Sequence, residues 1–393
     1  MSEVRVNNLS NENNTGGPTI SGITTYSSTN FFVPPQGDTA SRPQSCPNGS
    51  LRFNTDSAKL EYYRGDTIGW VEVEAELTAP LGGGTGSNVG LGHRGLFKNG
   101  QRAPSTGSYS EIIEFLTIST LGNSQDFGDT SAARASNPAL SSRTRGIIGA
   151  GYGPSNQIEF VTIASTGNAT DFGDDVGTSN AAGGLSNGTR GIFAGSTEVS
   201  PGNVIRYITI DSLGNAVDFG DLNYAASHMG SAASSTRGLI AGGGDAGTEY
   251  NTIDYVTIAS TGNATDFGDL NYVKTSGVAG GSNATRAIFY GGNDTPGYSN
   301  VKTICFNTIA TTGNSIDFGE ITATNTASGS AMPDGTRCVM KLGSGDGGNT
   351  TTTNIIEFIQ FATLGNGTDF GDSTLQTYST SRGTISTGHG GLG

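Results

Sequence analysis

The chain has 393 residues, a net charge of −14, only 33% hydrophobic and 14% charged residues, and 63 glycines. That length can bury a large core, but the glycine excess excludes a helical or doubly wound protein and favours many short strands joined by tight turns. The charge balance argues against a nucleic-acid partner, which needs a basic stripe, and the low hydrophobicity comes from Gly, Ser, Thr and Asn, not from the charge-rich composition of disorder.

No apolar run approaches the roughly 20 residues of a membrane-spanning helix, and the polar start Met1-Ser2-Glu3-Val4-Arg5 does not resemble a signal peptide. Cys46, Cys305 and Cys338 are too few and too irregular for a disulfide framework or a zinc site. Synthesis in a reducing cytoplasm is expected, with no membrane and no metal.

Residues 1–45 are rich in Asn, Ser, Thr and Gly and hold Pro34-Pro35. They read as an extended arm anchored by Ile20, Ile23, Tyr26, Phe31, Phe32 and Val33, a flexible tail being the alternative. Residues 46–85 form a second part. Leu51, Phe53 and Thr55, then Leu60 and Tyr62, alternate with polar partners, which predicts a hairpin turning at Asp56-Ser57, with a third strand at Gly69-Trp70-Val71-Glu72-Val73.

Residues 86–393 are organised by repetition. Ile253-Asp254-Tyr255-Val256-Thr257-Ile258, followed by Gly262-Asn263 and Asp266-Phe267-Gly268-Asp269, recurs with its tetrad opening at Asp126, Asp171, Asp218, Asp266, Asp317 and Asp369. The successive differences are 45, 47, 48, 51 and 52 residues, so six copies of one supersecondary unit are present. A basic residue opens a short apolar strand once per copy, as in Thr144-Arg145-Gly146-Ile147-Ile148 and Thr189-Arg190-Gly191-Ile192-Phe193. The same marker falls at Arg237, Arg286 and Arg337, with looser versions at Arg94 and Arg382. Each unit reads as four strands with a Gly-Asn turn before the last, the dimensions of a propeller blade. The predicted fold is all-β, a β-propeller of six or seven four-stranded blades, with an arm and a small strand module ahead of it. In the seven-blade version Leu375 to Ile385 supplies two strands of a last blade that Leu51-Phe53 and Leu60-Tyr62 complete; six blades with a separate module is the other.

The Asp-Phe-Gly runs are read as structural, because a catalytic motif occurs once and needs partners absent here. Phe is expected between blades, Gly at a bend, and the acids in pairs with Arg145, Arg190, Arg237, Arg286 or Arg337. His93, His228 and His389 stand alone and are expected in turns or on the surface. No catalytic residue, metal site or cofactor is assigned, and the chain is not expected to be an enzyme; a carbohydrate-active enzyme would need acids clustered at the centre. The variable loops between second and third strands carry the binding candidates Tyr109, Tyr152, Tyr250, Tyr298 and Asp294. Tyrosine stacks on a sugar while Asp bonds its hydroxyls, although solvated loops free to vary fit the same composition.

The glycine-rich apolar strands and the aromatics Phe127, Phe172, Phe219, Phe267, Phe318 and Phe370 near each unit's end resemble the kelch-like β-propeller, with phenylalanine where kelch repeats carry a larger aromatic. Together with the Leu51 to Trp70 segment, these units resemble virion structural proteins of tailed bacteriophages, notably those of marine cyanobacteria. The resemblance implies a tail-fibre or appendage component binding the host surface, or alternatively an architectural head, neck or baseplate protein. It implies a homo-oligomer, located in the virion and made in the host cytoplasm, that joins other virion proteins through its arm and meets a host surface glycan through its loops.

Overall fold

The computed structural model describes residues 34–57, 59–72, 93–102, 108–153, 155–197, 202–245, 247–272, 275–294, 301–322, 328–343 and 352–393. The chain divides into two units, Met1–Leu77 and Thr78–Gly393. Regular structure among the described residues is β-strand throughout, apart from a 3-10 turn at Gly390–Leu392.

In the first unit the alternating residues form the expected hairpin, Leu51–Asn54 against Lys59–Tyr63, with Trp70–Glu72 antiparallel on one edge and Gln36–Gly37 parallel on the other. Alternation turns Glu61 inward, where it is fully buried. Its carboxylate accepts from Arg42 and, at 2.7 Å, from Asn54 Nδ2, as a buried charge requires. Trp70 Nε1 donates to Pro43 O at 3.0 Å, so residues of the expected arm pack on this sheet. The arm's six apolar anchors lie outside the described residues.

Among the described residues the second unit contains six main sheets, one per repeat, each with four antiparallel strands and the second with a fifth strand added in parallel. Taken from sheet one to sheet six, the first strands are Ile385–Ser386, Pro138–Ser141, Gly183–Ser186, Gly230–Ala233, Ala279–Ser282 and Ser330–Pro333. The second strands are Arg94–Lys98, Arg145–Ile148, Arg190–Ala194, Arg237–Ala241, Arg286–Tyr290 and Arg337–Lys341. Third strands follow at Ser110–Thr117, Gln157–Thr162, Val204–Thr209, Thr252–Thr257, Thr303–Thr308 and Thr353–Gln360. The fourth are Gln125–Arg134, Thr170–Asp174, Val217–Asp221, Thr265–Asp269, Ile316–Glu320 and Thr368–Thr377.

The pairing departs from the seven-blade strand-sharing: Leu51–Asn54 and Lys59–Tyr63 pair within the first unit's own sheet, and Leu375 lies in the last strand of sheet six. Ile385–Ser386 pairs with Arg94–Lys98 and so completes sheet one, while Arg382–Gly383 adds in parallel to Pro138–Ala139. The physical reason is that the last strand of sheet six runs on through Leu375 to Thr377, leaving Ile385 to fill the apolar slot against Gly146 that Leu140 fills against Gly191.

The tetrads explain how the sheets join. In every sheet the register against the third strand slips by one residue, so that the Phe falls in a β-bulge and the following Gly takes a φ between 142° and 153°. The bulge frees the Phe carbonyl from its own ladder. It accepts instead from the Gly of the next repeat's Gly-Asn pair: Gly167 to Phe127, Gly214 to Phe172, Gly262 to Phe219, Gly313 to Phe267 and Gly365 to Phe318, at 2.7 to 2.9 Å. Gly122 gives the same bond to Phe370 at 2.9 Å, joining sheet six to sheet one. The Asn side chain repeats the cycle, its Oδ1 accepting from the backbone N–H of Asp129, Asp174, Asp221, Asp269, Glu320 and, from Asn123, of Asp372. The Gly-Asn pair is therefore a docking element; the link between third and fourth strands, such as residues 163–169, is longer than the tight hairpin expected there.

The arginine marker also joins neighbours, in a manner different from the expected Arg–Asp pairs. Nη1 of Arg94, Arg145, Arg190, Arg237, Arg286 and Arg337 donates to the backbone oxygens of Ile163, Ile210, Ile258, Ile309, Phe361 and Ile118, each in the next sheet, again closing on sheet one. Each guanidinium lies 4.4 to 4.6 Å from the ring of Phe115, Phe160, Tyr207, Tyr255, Phe306 or Phe358. That ring meets the tetrad Phe edge-on at 5.9 to 6.2 Å. Alternation along the strand buries the Phe and turns the preceding Asp to solvent, which puts it beyond the arginine. These exposed acids line the edge strands and oppose edge-to-edge aggregation.

The core consists of six apolar clusters, each drawn from two neighbouring sheets. The tetrad phenylalanines at their centres are each 2% exposed, and burying one contributes about 1.5–3 kcal/mol.

Candidate functional site

The first strands touch one another in cyclic order, and Arg382–Gly383 touches those of sheets two to six. Only small residues fit here. A Cβ on Gly383 would lie 2.1 Å from Ala139 O, and one on Gly390 2.0 Å from Asn283 O. Of the two positions expected for His389, the turn is found and the surface is not: it caps the 3-10 turn Gly390–Leu392 and is 5% exposed. Its Nε2 donates to Ser141 O at 2.9 Å and its Nδ1 accepts from Gly391 N at 3.2 Å, which fixes a neutral ring. Burial lowers its pKa to about 4. His93 is half-buried against Thr387 Oγ1 at 3.2 Å, and His228 sits in a left-handed turn with φ 62°. The chain itself thus occupies the space between the first strands where central acids would stand.

The described binding candidates, Tyr109, Tyr152, Tyr250 and the backbone of Asp294, lie at the opposite ends of the second and third strands from the arginine markers. Tyr109 and Tyr152, from neighbouring sheets, are brought together edge-on with ring centroids 5.6 Å apart. Tyr152 is 46% exposed, its N–H donates to Ala135 O at 2.7 Å, and the adjacent Gly151 adopts a φ of 73° where a Cβ would strike that same oxygen. Partial burial and the neighbouring phenol raise the Tyr109 pKa. Tyr250 is placed differently. It packs 4.6 Å from Tyr224 and against the core between sheets three and four, behind a two-residue hairpin, Gly244–Asp245 with Thr248–Glu249. The backbone of Asp294 pairs with Thr275; its side chain and Tyr298 lie outside the described residues.

Two further features carry no motif signal. Leu121, Leu213 and Leu364, each preceding a Gly-Asn pair, are 58%, 61% and 60% exposed, and Val217 and Ile316, which open the fourth strands of sheets three and five, are exposed as well. A depression of about 590 Å³ lies beside Arg94, Phe115, Leu121 and Asn123, and among the described residues that line it there is no acid. Among the described residues no group of three His, Cys, Asp or Glu is placed to hold a metal ion, and no helix is long and apolar enough to cross a membrane. Comparison with protein-family models and with curated proteins finds no match.

Proposed function

We propose that this chain is a virion structural protein of a tailed bacteriophage, in which the six sheets are the blades of a closed kelch-like β-propeller that presents loops to the host surface. The observation that carries the binding role is the Tyr109–Tyr152 pair, two aromatic faces from neighbouring sheets held by backbone bonds at a loop rim. Rigid, partly exposed tyrosines offer stacking area at low entropic cost, which suits a glycan. The N-terminal part fastens the protein to other virion components, and the particle carries it as a homo-oligomer. No reaction and no cofactor is assigned, a reading supported by the way the chain's own segment fills the space between the first strands.

A second reading, an architectural head, neck or baseplate protein, is favoured by Leu121, Leu213 and Leu364, since equivalent exposed leucines on three repeats suit burial against another protein. Cryo-electron microscopy of whole particles separates the two. Density at a distal tip, with host adsorption reduced by Tyr109→Ala and Tyr152→Ala, supports host contact. Density enclosed by other proteins overturns it and leaves the architectural role.

A further inference from the structure

Six nearly identical repeats create a hazard in folding, because any sheet offers nearly the same docking elements to any other. Two buried positions, taken together, vary from interface to interface.

The first is the third-strand residue preceding the aromatic: Glu114, Glu159, Arg206, Asp254, Cys305 and Glu357, each fully or almost fully buried. Each meets the segment leaving the preceding sheet. Glu159 binds Ser131 N at 2.8 Å and Arg134; Arg206 binds Asp175 at 3.1 Å; Asp254 binds Asn223 N at 2.9 Å and Nδ2 at 2.7 Å. Glu357 binds Thr322 and Glu114 binds Thr374, each through both the backbone N–H and the hydroxyl. Polarity is inverted between the first two interfaces. The base stands on the departing segment between sheets one and two, and on the third strand between sheets two and three. Docking sheet one directly on sheet three would face Arg134 with Arg206, and the Asp175 segment would meet a cation on sheet three alone.

The second is a volume match where a first strand meets the residue after the arginine marker. Glycine stands opposite large residues: Gly146 with Ile385, Gly191 with Leu140, Gly238 with Leu185 and Gly95 with Met332, where an added Cβ would approach to between 2.6 and 2.8 Å. Ala287 shares a cluster with Ala232, and Cys338 stands opposite Gly281. The larger partner changes sides, and the pair stays filled without overlap.

We propose that these two layers are an address built into the fold, by which each sheet accepts its own predecessor and rejects the others, so that the repeats close in a single cyclic order. Unpartnered or like charges in a buried interface penalise the wrong pairing far more than a matched pair stabilises the right one.

The test is refolding of the full chain from denaturant, read as monomer yield by size exclusion and as the thermal midpoint of the recovered monomer. Arg206→Glu gives sheet three the acid that sheet two carries, and is expected to reduce monomer yield by roughly fivefold or more, with Asp175→Arg in the same chain restoring much of it. Replacing the pair by apolar residues, Asp175→Leu with Arg206→Met, removes the address while filling the space. Its monomer is expected to melt near the wild-type temperature but to form at less than about half the wild-type yield. Wild-type yield from this apolar pair overturns the proposal, because the ion pair would then be filler. Should the apolar pair yield no monomer, the volume layer decides: Gly238→Ala is expected to lower the yield and Leu185→Ala with Gly238→Ala to recover it, and absence of that recovery overturns the proposal.

Discussion

Gly220→Ala tests the interlock at one of its six tight points. Gly220 has a φ of 149°, and a Cβ there would lie 2.4 Å from Gly262 O and 2.9 Å from Asn263 N, both backbone atoms of the next sheet. Reaching an ordinary contact moves the two chains apart by about 1 Å, which takes the 2.7 Å bond from Gly262 N to Phe219 O and its neighbour from Ala264 N to Asp221 O beyond useful length. Each lost bond costs about 1 kcal/mol, and the backbone strain adds about 1–3 kcal/mol, giving about 4 kcal/mol in all. For a unit of roughly 300 residues this lowers the thermal midpoint by about 6 °C. Gly262→Ala is the control: its φ of 154° is equally unfavourable, but nothing lies within 4 Å of its added Cβ. Calorimetry on both variants isolates the docking contribution. Equal midpoints for the two would refute the reasoning, since strain alone would then account for the loss.

Phe219→Ala empties the centre of the cluster between sheets three and four and is expected to destabilise by about 3–5 kcal/mol in urea titration. His389 has a pKa lowered to about 4, so its contribution to stability is complete above the unfolded value near 6.5 and is lost as the pH falls toward 4; His389→Gln should flatten the stability profile over that window in calorimetric scans. Lys341 is fully buried, its Nζ donating to Leu342 O at 2.7 Å and Thr353 O at 2.9 Å, and burial lowers its pKa to about 7. Stability is then lost as the pH falls from about 10.5 to 7, and Lys341→Met should raise the midpoint at pH 7. Replacing Leu121, Leu213 and Leu364 together by Ser should leave the midpoint within about 1 °C, because these side chains are exposed, while incorporation into particles falls if their face is buried in the virion.

The repeat, its four-strand reading and the N-terminal hairpin were legible because the signals are local: a period, an alternation and a marker residue. The tetrad Phe was placed correctly between neighbouring sheets for the same reason, since alternation fixes which side it faces. What the sequence left open was every long-range partner. Arg145 looks like a partner for an acid, and only the folded chain shows that the acid beside Phe172 turns outward while the arginine reaches the backbone oxygen of Ile210 in the next sheet. Ile385 closes sheet one because a first strand was wanting nearly 300 positions earlier, a requirement no window contains. Among the binding candidates, the Tyr109–Tyr152 contact was invisible in sequence because it depends on two loops meeting, whereas Tyr250 is held by Tyr224, which carried no signal. His389 caps a turn, as one of its two expected positions, but its burial was not legible, because an isolated histidine in a glycine-rich stretch reads as solvent-exposed until the close approach of the first strands is known.

Closure is tested most directly by native-state hydrogen exchange at the six docking glycines, Gly122, Gly167, Gly214, Gly262, Gly313 and Gly365. A closed set requires all six N–H groups to exchange at one slow rate, that of cooperative unfolding, with Gly122 as protected as the rest. Fast exchange confined to Gly122, with the other five protected, would mean that sheet six does not dock on sheet one, and would contradict the closed cycle.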